Sequence, residues 1–216
     1  MTVSERGRAP KPIRAVARSW GALAALLLAG GAVVALAPPE RTLGQAVRLV
    51  YLHVALSRAG MIGFVAVGLM GLVMLAVADR RLAGWMAAAG WAALALFGAG
   101  FAVSLGAQIA SWGGVTWREP RVQTAANVLA AALIVQLVAV WLPWLRARGA
   151  LRALFGLFQL WASARAPNVL HPSAAISGSE SAAIRSVSGL LLVIALALGV
   201  WMAWMLAPRR AAFDPE

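Results

Sequence analysis

A chain of 216 residues that is 62% hydrophobic and 12% charged, with a mean hydropathy of +0.82, carries more apolar surface than a soluble fold can hide. Soluble domains hold roughly 45–50% apolar residues, so lipid is the expected solvent. The formal charge of +12 comes from basic residues that punctuate the apolar runs, which argues for topology signals and against a nucleic-acid partner, and the absence of cysteine excludes disulfides, thiol redox chemistry and thiolate metal sites.

In chain order, a basic tail over residues 1–18 precedes an uncharged run, Trp20–Ala37, that stops at Pro38–Pro39. This run has the outline of a signal peptide, with "ALA" at 35–37. However, Pro38 follows that site directly, and the run exceeds the roughly 7–15 apolar residues of such a peptide. An uncleaved helix is therefore expected. Ala59–Ala78 is the second run and ends at Asp79–Arg80–Arg81; Leu82–Ala110 is the third. Val122–Leu145 is the fourth, followed by Arg146 and Arg148. Gly149–Ala164 is a weak fifth, short and carrying Arg152, which is expected to snorkel toward the inner face. Ser186–Ala207 closes the set before Pro208–Arg209–Arg210. Crossing the hydrocarbon takes roughly 17–25 residues, more with tilt.

Charge decides the weak run. With six spans and both termini cytoplasmic, the inner segments hold five Lys/Arg before Trp20, two at 80–81, three at 146–152 and two at 209–210. These twelve face seven outside: Arg41, Arg48, Arg58, Arg118, Arg121, Arg165 and Arg185. Without the fifth span, Arg209 and Arg210 fall on the wrong side. The expected fold is all-α: a polytopic membrane protein with six transmembrane helices over 19–207, an outward Trp-rich loop at 109–121 and a cytoplasmic tail at 208–216.

All polar residues of chemical interest then collect on the outer face. The outward connectors contain "VYLHVALSRAG" (50–60), "SWGGVTWREPR" (111–121) and "NVLHPSAAISGSE" (168–180). The only two His of the chain, His53 and His171, lie in the first and third. Imidazole ligates haem iron well, and Arg suits carboxylates such as propionates. Taken alone, each His is equally an ordinary interfacial residue, and Trp belongs to the usual aromatic belt. Ser177 and Glu180 have capping-box spacing, which predicts a helical turn leading into the sixth span. Asn127 and Gln136, within the fourth span, are expected to face partner helices. Gly63, Gly68, Gly71, Gly98 and Gly100 permit close helix approach.

The ordered set "YLHVA", "WGGVTWREPR" and "VLHPS" resembles the cytochrome c assembly protein family, in its six-helix, haem exporter protein C-like branch. That family carries WGxxWxWDxR between two His-bearing outward loops. Here Trp112–Gly113 stands at the motif start, Glu119 replaces the Asp, and Arg121 keeps the Arg. The central Trp pair is missing, and Trp117 is one position off the final Trp. The resemblance covers roughly residues 20–207, mostly through the order of elements.

What the resemblance implies is presentation, not catalysis. His53 and His171 would ligate the iron of a non-covalent haem b from opposite faces. Trp112, Gly113 and Trp117 would form the platform, and Arg121, with Arg118, would meet propionates. Glu119 would pair with Arg121 or contact a haem chaperone. Partners would be that chaperone, ABC-type haem release subunits and membrane lipid, at the outer face of the bacterial cytoplasmic membrane. No nucleophile–base pair or carboxylate dyad points to an enzyme. The competing expectation is a cofactor-free permease subunit of an ABC-type exporter, against which the short inward connectors argue.

Overall fold

The computed structural model describes residues 20–167, 169, 170, 176 and 179–208. Among these residues the chain forms six helices: α1 (Trp20–Leu36), α2 (Val47–Val77), α3 (Arg80–Trp112), α4 (Pro120–Trp141), α5 (Leu145–Arg165) and α6 (Ala182–Leu206). Four of them, α2, α3, α4 and α6, are long and apolar enough to cross a membrane. The chain is thus an all-helical membrane protein; α1 is shorter, and α5 is the most polar of the six helices.

Helix ends follow local chemistry. Asp79 caps α3 by accepting from the Leu82 amide at 2.7 Å. Gly113 closes α3 in the left-handed region at φ +74, donating to the Ile109 carbonyl at 3.0 Å. Pro120 occupies the first turn of α4, where its missing N–H costs nothing. At the other end of α4, Leu142 turns extended ahead of Pro143. The continuous span expected through Leu145 is therefore broken at 142–144, and α5 starts afresh.

Three further expectations are corrected. Helix α2 begins at Val47, twelve residues before the apolar run, so His53 sits on a helical turn and not in a loop. At 31 residues α2 is about 46 Å long, well beyond the roughly 30 Å hydrocarbon. Arg152 does not snorkel: it is 3% exposed, and its Nη2 donates to Gln136 Oε1 at 2.9 Å. Gln136 has room to receive it because a Cβ on Gly90 would overlap its carboxamide. Asn127, unlike Gln136, is exposed.

Helix α2 touches α1, α3, α5 and α6. Its contact with α5 is backbone on backbone. A Cβ on Gly71 would lie 2.5 Å from the Gly149 carbonyl oxygen, and one on Gly149 would lie 2.7 Å from that of Gly71. One turn away, Gly68 backs Gly156 at 3.3 Å. Above this seam Phe64 packs edge-on to Phe155 (5.0 Å, 87°) and tilted against Phe97 (5.6 Å). These three rings centre the middle core cluster with Val128 and Ala132. The core toward the Arg80 end holds Val67, Met74, Ala83 and Met86.

Overpacking this seam should cost about 1–3 kcal/mol. Gly71→Val is expected to lower the thermal midpoint in detergent, read by fluorescence-detected size exclusion. Gly31→Ala, which meets nothing within 4 Å, should leave the midpoint unchanged.

Candidate functional site

One face of α2 presents His53, Ser57 and Met61 at successive i, i+4 positions. All three line a cavity of about 160 Å³ at the His53 end of the bundle. The opposite walls are Phe97, Phe101 and Ser104 of α3 and Arg121, Thr124 and Val128 of α4. Ser163 and Ala166 at the end of α5 complete the rim.

His53 is half-buried, and its Nδ1 lies 2.9 Å from the Gly100 carbonyl oxygen. A carbonyl only accepts, so Nδ1 carries the proton and Nε2 is the basic nitrogen. A metal-ligating His usually fixes its ring this way, with the second nitrogen on a carbonyl or carboxylate. Ser57 Oγ, 3.3 Å from the same Nδ1, is a secondary contact. Gly100 makes the arrangement possible: a Cβ there would meet Ser57 Oγ at 2.5 Å and the Ser57 backbone nitrogen at 2.7 Å.

The Trp connector is short and tied down. The Thr116 amide donates to Gln108 Oε1 at 3.1 Å, and the Glu119 amide donates to the Thr116 carbonyl at 3.0 Å. Trp112 is the last residue of α3 and is 43% exposed; Trp117 is 58% exposed. Neither ring lines the cavity. Glu119 is 2% exposed, so its carboxylate is withdrawn from any partner protein. It instead accepts from the Leu170 amide at 3.4 Å. Glu119 thereby joins the Trp connector to the segment that leads into His171.

Of the residues expected at the site, His53 and Arg121 share the cavity. Trp112, Gly113 and Trp117 lie in the connector outside the cavity lining, with both Trp rings exposed, and Glu119 is a buried brace. His171 lies outside the described residues, as does Ser177. The cap observed on α6 is Ser181, whose hydroxyl accepts from the Ile184 amide at 3.4 Å. Ser57, Met61, Gly100, Ser104 and Gln108 were not expected at the site. The signal for Ser57 and Met61 was their four-residue spacing from His53 along α2; Gly100, Ser104 and Gln108 lie on α3, and no pattern around His53 announces them. Arg48, which flanks His53, is an anchor: its Nε and Nη2 donate to the Ala37 carbonyl at 3.3 and 3.2 Å.

The connector between α1 and α2 turns on Glu40, whose Oε2 accepts from the Thr42 and Leu43 amides at 2.8 and 2.9 Å. Those amides hold its carboxyl below the usual carboxylate range. The turn's stabilisation is present above the unfolded pKa and is lost as pH falls through the lowered folded one. Among the described residues no three of His, Asp or Glu gather as a metal site.

No protein-family model matches the chain, and no curated protein matches it.

Gln108→Leu keeps side-chain volume but strands the Thr116 amide, a loss of about 1–3 kcal/mol locally. Hydrogen exchange over residues 113–119 in detergent should accelerate at least several-fold. Unchanged exchange would mean that Gln108 does not hold the connector.

Proposed function

We propose that this protein holds and presents haem at the outer face of a bacterial cytoplasmic membrane during cytochrome c biogenesis. The supporting observation is His53: its Nδ1–H is committed to the Gly100 carbonyl, and it shares a cavity with Arg121 in the first turn of α4, directly after the Trp connector. On this reading all six helices span, both termini are cytoplasmic, and the His53 end faces outward.

The cavity of about 160 Å³ is below the roughly 300–1,000 Å³ of ligand clefts. Haem, as cargo, would therefore rest on the surface beside His53 and not within the cavity. His53 Nε2 is one iron ligand and His171 the other. The exposed rings of Trp112 and Trp117 offer a flat apolar ledge, and the Arg121 guanidinium offers charge-assisted hydrogen bonds to propionates. Glu119 acts as a positioning residue by bracing the ledge against the Leu170 segment. A surface seat suits transfer, because a haem chaperone reaches the exposed ring without the bundle opening. ABC-type release subunits would act beside this chain. A role as the cofactor-free permease subunit of an ABC-type exporter is disfavoured: α2–α3 and α4–α5 are joined by residues 78–79 and 142–144 only, with no room for a coupling helix.

Two outcomes test the reading. His53→Ala should weaken haem retention at least about tenfold in affinity, a change of about 1.4 kcal/mol, read by titration of the Soret band of the purified protein. A double His53→Ala, His171→Ala variant with a wild-type Soret band would overturn the ligand assignment. Topology is tested by single-cysteine labelling, for which the cysteine-free chain is suited. Arg118→Cys in intact cells should react with an impermeant maleimide, and Trp144→Cys should react only after lysis. The reverse pattern would invert the orientation.

A further inference from the structure

A second concavity lies on the flank of the α2–α5 pair, away from the haem ledge. It is a groove of about 450 Å³ bordered by Arg58, Ile62, Val65, Leu69 and Leu160. Its walls are apolar with two exceptions. Arg58 is exposed at the end of the groove nearer His53. Gln159 also lines it; this side chain is 0% exposed, and neither Nε2 nor Oε1 has a hydrogen-bond partner among the described residues. A buried carboxamide with both ends unpaired is rare and costly. Its neighbours in the helix pair cannot satisfy it, since the wall beside it is built from Met61, Ile62 and Val65.

The spacing of the two polar groups is informative. Gly68 backs Gly156, and Gly71 backs Gly149 and Ala153, so α2 and α5 run antiparallel in a fixed register. Continuing that register sets Gln159 level with residues 61–65 of α2, about 5–10 Å along the helix from Arg58. Beyond Gln159 the groove continues past Val65, Ala66 and Leu69. The uncharged run from Ala59 to Ala78 covers about 30 Å of helix, the hydrocarbon thickness. Arg58 therefore stands at the hydrocarbon boundary, and Gln159 lies just inside it.

We propose that this groove binds one anionic glycerophospholipid. The Arg58 guanidinium meets the phosphate, Gln159 Nε2–H donates to an ester carbonyl, and one acyl chain follows Val65, Ala66 and Leu69. Going inward, a phospholipid presents phosphate, ester and chain in the same order as the groove presents cation, amide and apolar wall. A positive group at the mouth selects an anionic headgroup over a zwitterionic one. The proposal requires only that α2 and α5 face lipid, and it stands apart from the haem reading.

The test uses the purified full-length chain, delipidated in detergent and titrated with phosphatidylglycerol or phosphatidylcholine under native mass spectrometry. The wild type should retain one phosphatidylglycerol at about tenfold lower lipid concentration than phosphatidylcholine, a difference of one decade in affinity. Arg58→Gln, an exposed change, should erase most of that preference. Gln159→Leu should weaken retention of both lipids, because the ester loses its donor. Ala66→Trp fills the groove and gives the same loss by exclusion, which keeps the test sound if Gln159→Leu fails to fold. Equal retention of the two lipids by the wild type, or retention unaltered in all folded variants, would overturn the proposal and leave only annular lipid.

Discussion

The fold depends on how closely α2 approaches α3 and α5. Lipid gives helices no hydrophobic reason to associate, so packing and interhelical hydrogen bonds must do it. At Gly71 and Gly149 two backbones meet with no side chain between them, and at Gly100 the backbone of α3 comes within side-chain reach of Ser57. The second contact carries the site. Were α3 farther from α2, the Gly100 carbonyl could not reach His53 Nδ1, and the ring would lose its fixed tautomer. Packing in the apolar part and chemistry at the end of the bundle are therefore one geometric requirement.

Several buried polar groups of this bundle join one segment to another. Arg152 and Gln136 tie α5 to α4. Gln108 ties α3 to the Trp connector, and Glu119 ties that connector to the segment before His171. Each bond replaces water that a membrane-embedded side chain cannot reach. Arg152 is the most demanding case, since a buried guanidinium has several donors and Gln136 accepts from one. Its Nε stays unpaired. A single partner of this kind fixes the register of α5 more than it stabilises the bundle.

Much of the helical frame was legible in the sequence. Uncharged runs located five of the six helices, because the cost of a charge in hydrocarbon is written directly into composition; the fifth run, which carries Arg152, was placed by charge balance. The ends were less legible. Helix α2 continues to Val47 through Arg48, His53 and Arg58, which read as connector residues; hydropathy cannot see a helix that outgrows the hydrocarbon. Pro143 was readable as a break, but the apolar residues around it hid it. Arg152 looked like a snorkelling charge because its partner, Gln136, is on another helix and its seat depends on Gly90, on a third. Glu119 read as a partner of Arg121 that fixes the connector, or as a chaperone contact; its burial and its bond to the Leu170 amide were not legible, because nothing local announces burial in a loop. For the site, His53 and Arg121 were found from residue type. Ser57 and Met61 needed the correct helix boundary before their spacing meant anything.

The two ends of the bundle differ in the length of their connectors. At the Arg80 end, two or three residues join each described helix pair, enough to reverse the chain and no more. At the His53 end the connectors run to 37–46, 113–119 and 166–181, and each carries internal bonds. A turn needs only a few residues, so the extra length at one end has to be explained by something other than connectivity. The cavity and the flank groove both open in this half of the molecule, and Met61 borders both. One flexible thioether side chain thus borders both the cavity that holds His53 and the apolar flank groove. That adjacency follows from α2 alone: residues four apart on its polar stripe descend from His53 into the bundle, while Ile62, Val65 and Leu69 turn the neighbouring stripe toward α5 and the groove. The same helix that seats the imidazole therefore also shapes the surface where lipid is met.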